Sequence, residues 1–327
     1  MDKYPITARS LEKHYQIDGD QFERQYKEHL SDYNEWEQKE HAEEWLLFPE
    51  NIGVQLSIDE TSLSNGELYT IITNKAANGR NGSIVAMVKG TNSEEIINIV
   101  TKISLKKRQI VSEITLDMAN SMNLIAKKCF PNAVKVIDRF HVQKLAYEAL
   151  QEIRISHRWE AINMETNDME NAKLDKREYF PMLLRNGDTL KQLLFRSRYL
   201  LFKSPEKWSE SQKERSKILF ELYPDLSRAY WLVHKLRVIY NSTKVRGVGY
   251  IRLAKWFNEV TDFNNKAFNT ITSTIYAHYP DILNFFNNRS TNASAESFNS
   301  KLKTFRASIH GVSDVSFFLF RVSKIYA

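Results

Sequence analysis

The stretch VQLSIDETSLSNGELYTIITNKAANGRNGSIVAMVKG, residues 54–90, decides how this chain folds. VQLSIDE (54–60) alternates with the two-residue period of a strand, LYTIITN (68–74) reads as a second strand and SIVAMVKG (83–90) as a third. The links between them, SNG (64–66) and KAANGRNG (75–82), are built from turn-forming residues. Three strands joined this way predict an antiparallel meander.

Downstream, TNSEEIINIVTKI (91–103) predicts a helix capped by Thr91 or Ser93, with Ile96, Ile97, Val100 and Ile103 on its apolar face. EITLD (113–117) reads as a strand, ANSMNLIAKKCF (119–130) as a helix, AVKVID (133–138) as a strand and RFHVQKLAYEALQEIR (139–154) as a long helix. The order β-β-β-α-β-α-β-α runs three antiparallel strands into parallel crossover units. It is the order of the ribonuclease-H-like fold, an α/β architecture with a mixed sheet. From 155 to 285 no strand pattern occurs, and runs such as TLKQLLFRSRYLLF (189–202) and SESQKERSKILFELY (209–223) predict a large all-helical insertion. Residues 8–47 read as helix, with Leu11, Tyr15, Phe22, Tyr26, Leu30, Trp36, Trp45 and Leu46 at loosely helical spacing. The expected organisation is a helical arm (1–50), a first part of a catalytic core (51–154), the insertion (155–285) and the last core helices (286–327).

At 327 residues and 42% hydrophobic content the chain can bury a full core. Its lone cysteine, Cys129, leaves no internal disulfide and no Cys-rich zinc module. No apolar run near the N-terminus reads as a signal peptide, and none reaches the ~18 residues of a membrane span. A soluble, cytoplasmic protein with no membrane partner is expected. The net charge of +6 suits a polyanionic partner, although many proteins without one share it.

Three carboxylates carry the chemistry. Asp59 lies in the first strand of the meander, Asp117 ends the fourth strand, and Glu296 sits in TNASAESFNSKLKTF (291–305), a helix that resumes after the insertion. The fold order places the first and fourth strands side by side, so the two aspartates can meet where ligands collect in such sheets. Carboxylates around one cavity repel unless a cation lies between them, which points to Mg2+ or Mn2+ with oxygen ligands. Two such ions about 3.5–4 Å apart activate the attacking oxygen and stabilise the leaving oxygen of a phosphodiester. Each acid also has a plainer reading: Asp117 as the cap of the next helix, Glu296 as part of a solvated face. On the helix, Glu296, Asn299, Ser300 and Lys303 share one face, a surface suited to a phosphate backbone, with Asn292 one turn before. Phe298, Leu302 and Phe305 lie opposite and predict the anchor to the core. In VIDRFHVQK, Asp138 stands open between a metal ligand, a supporting partner of the ligands and an Asp–Arg pair or helix cap, and His141 between a supporting place that contacts DNA or orients a water and a buried structural histidine. Trp256 reads as core, with base stacking as the rarer alternative.

These residues resemble the DDE transposases of bacterial insertion sequences, in particular the ISL-three and ISAon-one type. The resemblance rests on SIDETS around Asp59, ITLDMANSM around Asp117, VIDRFHVQKL, and TNASAESFNSKLK around Glu296, and covers about residues 50 to 325. It implies a ribonuclease-H-like core, a magnesium-dependent DDE triad of Asp59, Asp117 and Glu296, and cleavage and joining of DNA at element ends and target. Asn299, Ser300, Lys301, Lys303 and Arg306 are the expected DNA contacts. A homo-oligomer in a synaptic complex is the expected assembly. Larger members carry an N-terminal zinc finger that one cysteine cannot build, so end recognition is expected in residues 1–50, in the insertion or in a separately encoded protein. Two other readings stand beside this one: a catalytically idle DNA-binding descendant, whose mark would be a lost carboxylate, and a ribonuclease-H-like structure-specific nuclease, which would yield no joined strands.

Overall fold

The structure, a computed structural model, describes residues 1–64, 66–309, 312 and 314–327, with Lys13 and Ser64 described in their backbone only. Asn65 of the first expected turn lies outside the described residues. The chain opens with α1 (Ala8–Tyr15) and α2 (Gly19–Gln25), capped by the side chains of Thr7 and Asp18. Glycine is required at position 19, where a Cβ would meet the Arg9 Cα at 2.8 Å.

The single helical run expected across 8–47 does not form. After a π turn at Tyr26–Leu30 the chain bends through turns and enters a strand, β1 (Trp45–Leu47). Ser31, Asp32 and Asn34 favour turns there. The Gln38 side chain then serves β1 as a substitute strand, donating to the Leu47 carbonyl at 3.1 Å and accepting from the Leu47 N–H at 2.8 Å. Tyr33 and Trp36 pack edge-on against Phe320, anchoring the arm.

β2 (Gln55–Ser64), β3 (Glu67–Asn74) and β4 (Ile84–Lys89) form the antiparallel meander. α3 (Ser93–Val100) follows, capped by Asn92 rather than by Thr91 or Ser93. α4 (Leu105–Arg108) is too short to have left a periodic signal. β5 (Glu113–Leu116), α5 (Asn120–Cys129) and β6 (Val134–Ile137) each end within a residue of the expected limits. The six strands make one mixed sheet in the order β1-β4-β3-β2-β5-β6, with β2, β5 and β6 parallel to one another.

α6 (Arg139–Leu174) runs well beyond its expected end at 154. It is followed by α7 (Leu190–Arg196), α8 (Glu210–Leu222), α9 (Pro224–Ser242), α10 (Arg246–Phe263), α11 (Lys266–Ala277) and α12 (Tyr279–Asn288). Two final helices complete the chain, α13 (Ala293–Ser308) and α14 (Val315–Tyr326). By compactness the chain divides into a sheet unit, Met1–Asp138 with Ser290–Ala327, and a helical unit, Arg139–Arg289.

Among the described residues the helical unit holds no strand. Trp256 is fully buried in it and donates its indole N–H to the Leu232 carbonyl at 2.9 Å, so it belongs to the core. In the sheet unit, Leu63, Tyr69, Ile71, Ile84 and Met87 pack against Phe298, Leu302 and Phe305 of α13 and Phe318, Leu319 and Val322 of α14. Asp59 stands opposite Ile71 of that cluster in the β2–β3 register, and therefore towards α13. Cys129 is buried, and burial pushes its thiol up to about 11. No helix among the described residues is long and apolar enough to cross a membrane.

Phe298 is 1% exposed and meets Tyr326 edge-on at 5.2 Å. Phe298→Ala is expected to destabilise the sheet unit by about 3–5 kcal/mol, read as a lower urea midpoint at unchanged m-value.

Candidate active site

β2 and β5 run parallel with Ser57 opposite Thr115, and β5 and β6 run parallel with Thr115 opposite Val136. Two residues beyond that row stand Asp59, inside β2, and Asp117 and Asp138, just past the ends of β5 and β6, so the register lines up three aspartates on one face of three neighbouring strands. Asp59 and Asp117 are half-buried, whereas Asp138 is almost wholly buried. The Asp138 N–H donates to the Leu116 carbonyl at 3.0 Å, which continues the ladder up to the acid itself.

Each carboxylate is held. Asp59 accepts the Glu60 N–H on Oδ1 at 2.9 Å and the Asn299 amide on Oδ2 at 2.7 Å. Asp117 accepts the Ala119 N–H at 2.7 Å. It is not the cap of α5, whose N-cap residue is Ala119. Glu296, in the first turn of α13, is exposed, and its carboxylate offers an atom within 4.8 Å of one from Asp138. Asp59 and Asp117 are not members of that close group. His141 lies in the first turn of α6, at the start of the helical unit.

α13 reaches the sheet through two asparagines. Asn292, fully buried, donates its amide to the Ile58 carbonyl at 3.2 Å, and Asn299, 7% exposed, holds Asp59. β2 outruns its parallel partner just before Ile58, so that carbonyl finds a side-chain donor where the β5 ladder has stopped. Glu296 lies four residues after one anchor and three before the other, which sets its direction from the helix. The expected phosphate-contacting role of Asn299 therefore meets a different use of its amide. Lys301 likewise donates to the Gly79 carbonyl at 2.7 Å, while Ser300 and Lys303 are exposed and Arg306 is half-exposed.

Beneath the row lies a buried polar cluster. Lys75 pairs with Glu113 at 3.6 Å, donates to the Thr115 hydroxyl at 2.8 Å and bonds Ser290, which in turn bonds Glu113. Glu113, Thr115 and Asp117 alternate onto one face of β5 and its end. Burial holds the Lys75 ammonium below its ordinary value, opposed by the charges of Glu113 and Asp138. The cluster fastens the segment leading into α13 to the foot of β5. Neither Lys75 nor Ser290 stands out in sequence, because a lysine in a turn and a serine before a helix are ordinary there.

Four carboxylates of this kind are an oxygen-donor set that fits hard divalent cations. Glu60 reports the surplus negative charge: its carboxyl is raised first by burial and then by the charges of Asp117 and Asp59. Ser57 and Thr61, which flank Asp59 on its own face, have buried hydroxyls without a hydrogen-bond partner. The residues present thus fit Mg2+ or Mn2+.

A family model described as a transposase, of the ISL-three DDE type, matches residues 56–322. No curated protein and no solved structure matches the chain.

Asn299→Leu keeps the bulk of the side chain and removes the donor to Asp59. It is expected to lower Mn2+ affinity about 10–100-fold, the usual effect of removing a partner that orients a metal ligand, with Asn299→Gln recovering part of the loss. Free Mn2+ counted by electron paramagnetic resonance checks this, alongside thermal unfolding to confirm that the variants fold.

Proposed function

Because the chain belongs to the ISL-three family of DDE transposases, we propose that it cleaves DNA at the ends of an insertion sequence and joins the freed ends to target DNA through Asp59, Asp117 and Glu296. The observation that carries this reading is the in-register row of Asp59 in β2, Asp117 after β5 and Asp138 after β6, with Glu296 of α13 near Asp138. The meander leading into two parallel crossovers supports a ribonuclease-H-like core, with the segment between α5 and α13 that contains the helical unit as its insertion. Domain limits near 50, 154 and 285 remain the working division.

Asp59, Asp117 and Glu296 would hold two Mg2+ or Mn2+ ions, which when bound would activate the attacking oxygen and stabilise the leaving oxygen of a phosphodiester. The chain's own residues do the rest. Asp59, gripped by Asn299 and the Glu60 N–H, and Asp117, gripped by the Ala119 N–H, are the fixed ligands. Glu296, exposed on the first turn of α13, completes the set and can hold a proton taken from the attacking water. Lys75, paired with Glu113 beneath the row, ties Ser290 and with it the approach to α13 to β5. Ser300, Lys303 and Arg306 face outward and contact phosphates, a salt-dependent and sequence-independent contribution.

Asp138 enters as a fourth acid. Its carboxylate lies within 4.8 Å of Glu296, which favours a share in ligation over a purely structural part. His141, three residues on, is assigned a supporting place. Joining two element ends calls for at least two copies of the chain, with end recognition assigned to residues 1–50, the insertion or a separately encoded protein.

Incubation of the purified protein with labelled DNA carrying the element's flanking ends and Mg2+ or Mn2+ tests the reading. Joined product is expected from wild type and at least a 1,000-fold loss, on the order of 4 kcal/mol, from Asp59→Asn and Glu296→Gln, with DNA binding retained in both. Cleavage that persists in Asp59→Asn removes the proposal. Cleaved but never joined DNA would favour the nuclease reading.

A further inference from the structure

On the side of α13 away from Asp59 lies a cavity of about 680 Å3 in the sheet unit. Its cations are Lys3, Arg80 and Lys301, and its hydroxyls come from Ser297, Ser300, Thr304 and Ser308. None of its lining residues is an aspartate or glutamate, in a chain that has 40 of them. The spacing of the α13 residues, at i, i+3, i+4, i+7 and i+11 from Ser297, makes one continuous helical stripe of short donors around Lys301. Phe305, Ile325 and Tyr326 contribute apolar surface.

The walls are held in place. Lys301 donates to the Gly79 carbonyl at 2.7 Å, tying α13 to the loop between β3 and β4. Gly79 adopts φ +68°, and a Cβ there would lie 3.0 Å from the Lys301 ammonium, so this approach needs glycine in both respects. Asn81 in the same loop donates to the Ala327 oxygen at 2.6 Å. Ser83, at the loop's end, donates its N–H to the Tyr326 carbonyl at 2.8 Å. Arg80 and Lys3 are left exposed at the rim.

We propose that this cavity, lined by no aspartate or glutamate, binds a phosphate of the DNA strand adjacent to the one cleaved at Glu296. Ser300 links the two places: it lines the cavity and follows Glu296 by one helical turn, about 5–6 Å between Cβ atoms. Hydroxyls and cations without a competing acid are the donor set for a phosphodiester, and Lys3 and Arg80 supply the charge. The assignment rests on the transposase reading for the identity of the strand and adds Lys3, Arg80, Ser297, Thr304 and Ser308 to its contacts.

The salt dependence of DNA binding tests it without any metal. A fluorescein-labelled duplex is titrated with wild type, Arg80→Ala and Lys3→Ala over a range of KCl in the presence of EDTA. Loss of one phosphate contact is expected to make the slope of log Kobs against log salt shallower by about 0.9 in each variant. Both side chains are exposed, so folding is not at risk, and thermal unfolding confirms it. Arg80→Lys, which keeps the charge, is expected to restore most of the slope. Slopes equal to wild type in both alanine variants overturn the assignment. Because the titration requires neither metal nor cleavage, inactivity of wild type in the joining assay would count against the two-metal reading alone and leave the slopes to decide the cavity.

Discussion

The parallel register between β2 and β5 is the constraint on which the rest depends. It is only three residue pairs long, Gln55–Glu113 to Ser57–Thr115, but side chains alternate with period two, so a slip of one residue would turn Asp59 and Asp117 to opposite faces. Both strands are flanked on their other sides, β2 by β3 and β5 by β6, so a slip would also disturb those ladders. The buried residues Leu56, Ile58, Ile114 and Leu116 hold the apolar face to its side, and the acids are thereby held to theirs. A short ladder within a packed sheet is enough to place two charges that would not otherwise stand together.

Placing them has a cost that other contacts offset. Two full charges 4.8 Å apart, the outer limit for Asp138 and Glu296, repel by on the order of 3 kcal/mol at an effective dielectric of 20, reduced by water on the exposed Glu296 side. A hydrogen bond to a charged group contributes ~1.5–3 kcal/mol and one between neutral groups ~1. The Asn299–Asp59 and Asn292–Ile58 bonds are therefore of the same size as the repulsion that pushes α13 from the sheet. The apolar packing of Phe298, Leu302 and Phe305 is larger than either and decides that the helix stays. The asparagines decide where along β2 it stays.

What the sequence made legible follows from period and turn chemistry. The meander, α3, α5, β5 and β6 were readable because each is long enough to repeat its pattern and is bounded by turn residues. β1 was not: three residues hold no period, and Trp45 and Leu46 fitted a helical spacing as well as a strand. Nor could sequence separate Asn92 from its neighbours Thr91 and Ser93 as a cap, since all three residue types have a side-chain oxygen that can accept a first-turn N–H. At the candidate site, the residue types identified Asp59, Asp117 and Glu296, whereas Asp138 was left open because its place depends on the β5–β6 register. Asn299 read as a surface donor because helical spacing gives a face but not what covers it. Lys75, Glu113 and Ser290 come together from positions far apart in the chain, and no local pattern links them.

The same distance in sequence explains the polar character of the anchors. Glu296 belongs to a segment that re-enters the sheet unit only after the Arg139–Arg289 unit has intervened, so chain connectivity does little to set its height on the sheet. Apolar packing is non-directional, so the contacts of Phe298 and Leu302 oppose sliding along β2 less sharply than a hydrogen bond does. Hydrogen bonds do not tolerate it: a shift of an ångström or two lengthens each beyond the ~3.2 Å at which it counts. Asn292 keeps a buried Oδ1 with no partner, at a cost of ~1–3 kcal/mol, which a residue selected for stability alone would not carry. That position makes sense as register control. The donor to the Ile58 carbonyl is worth keeping because it fixes the turn of α13 from which Glu296 projects.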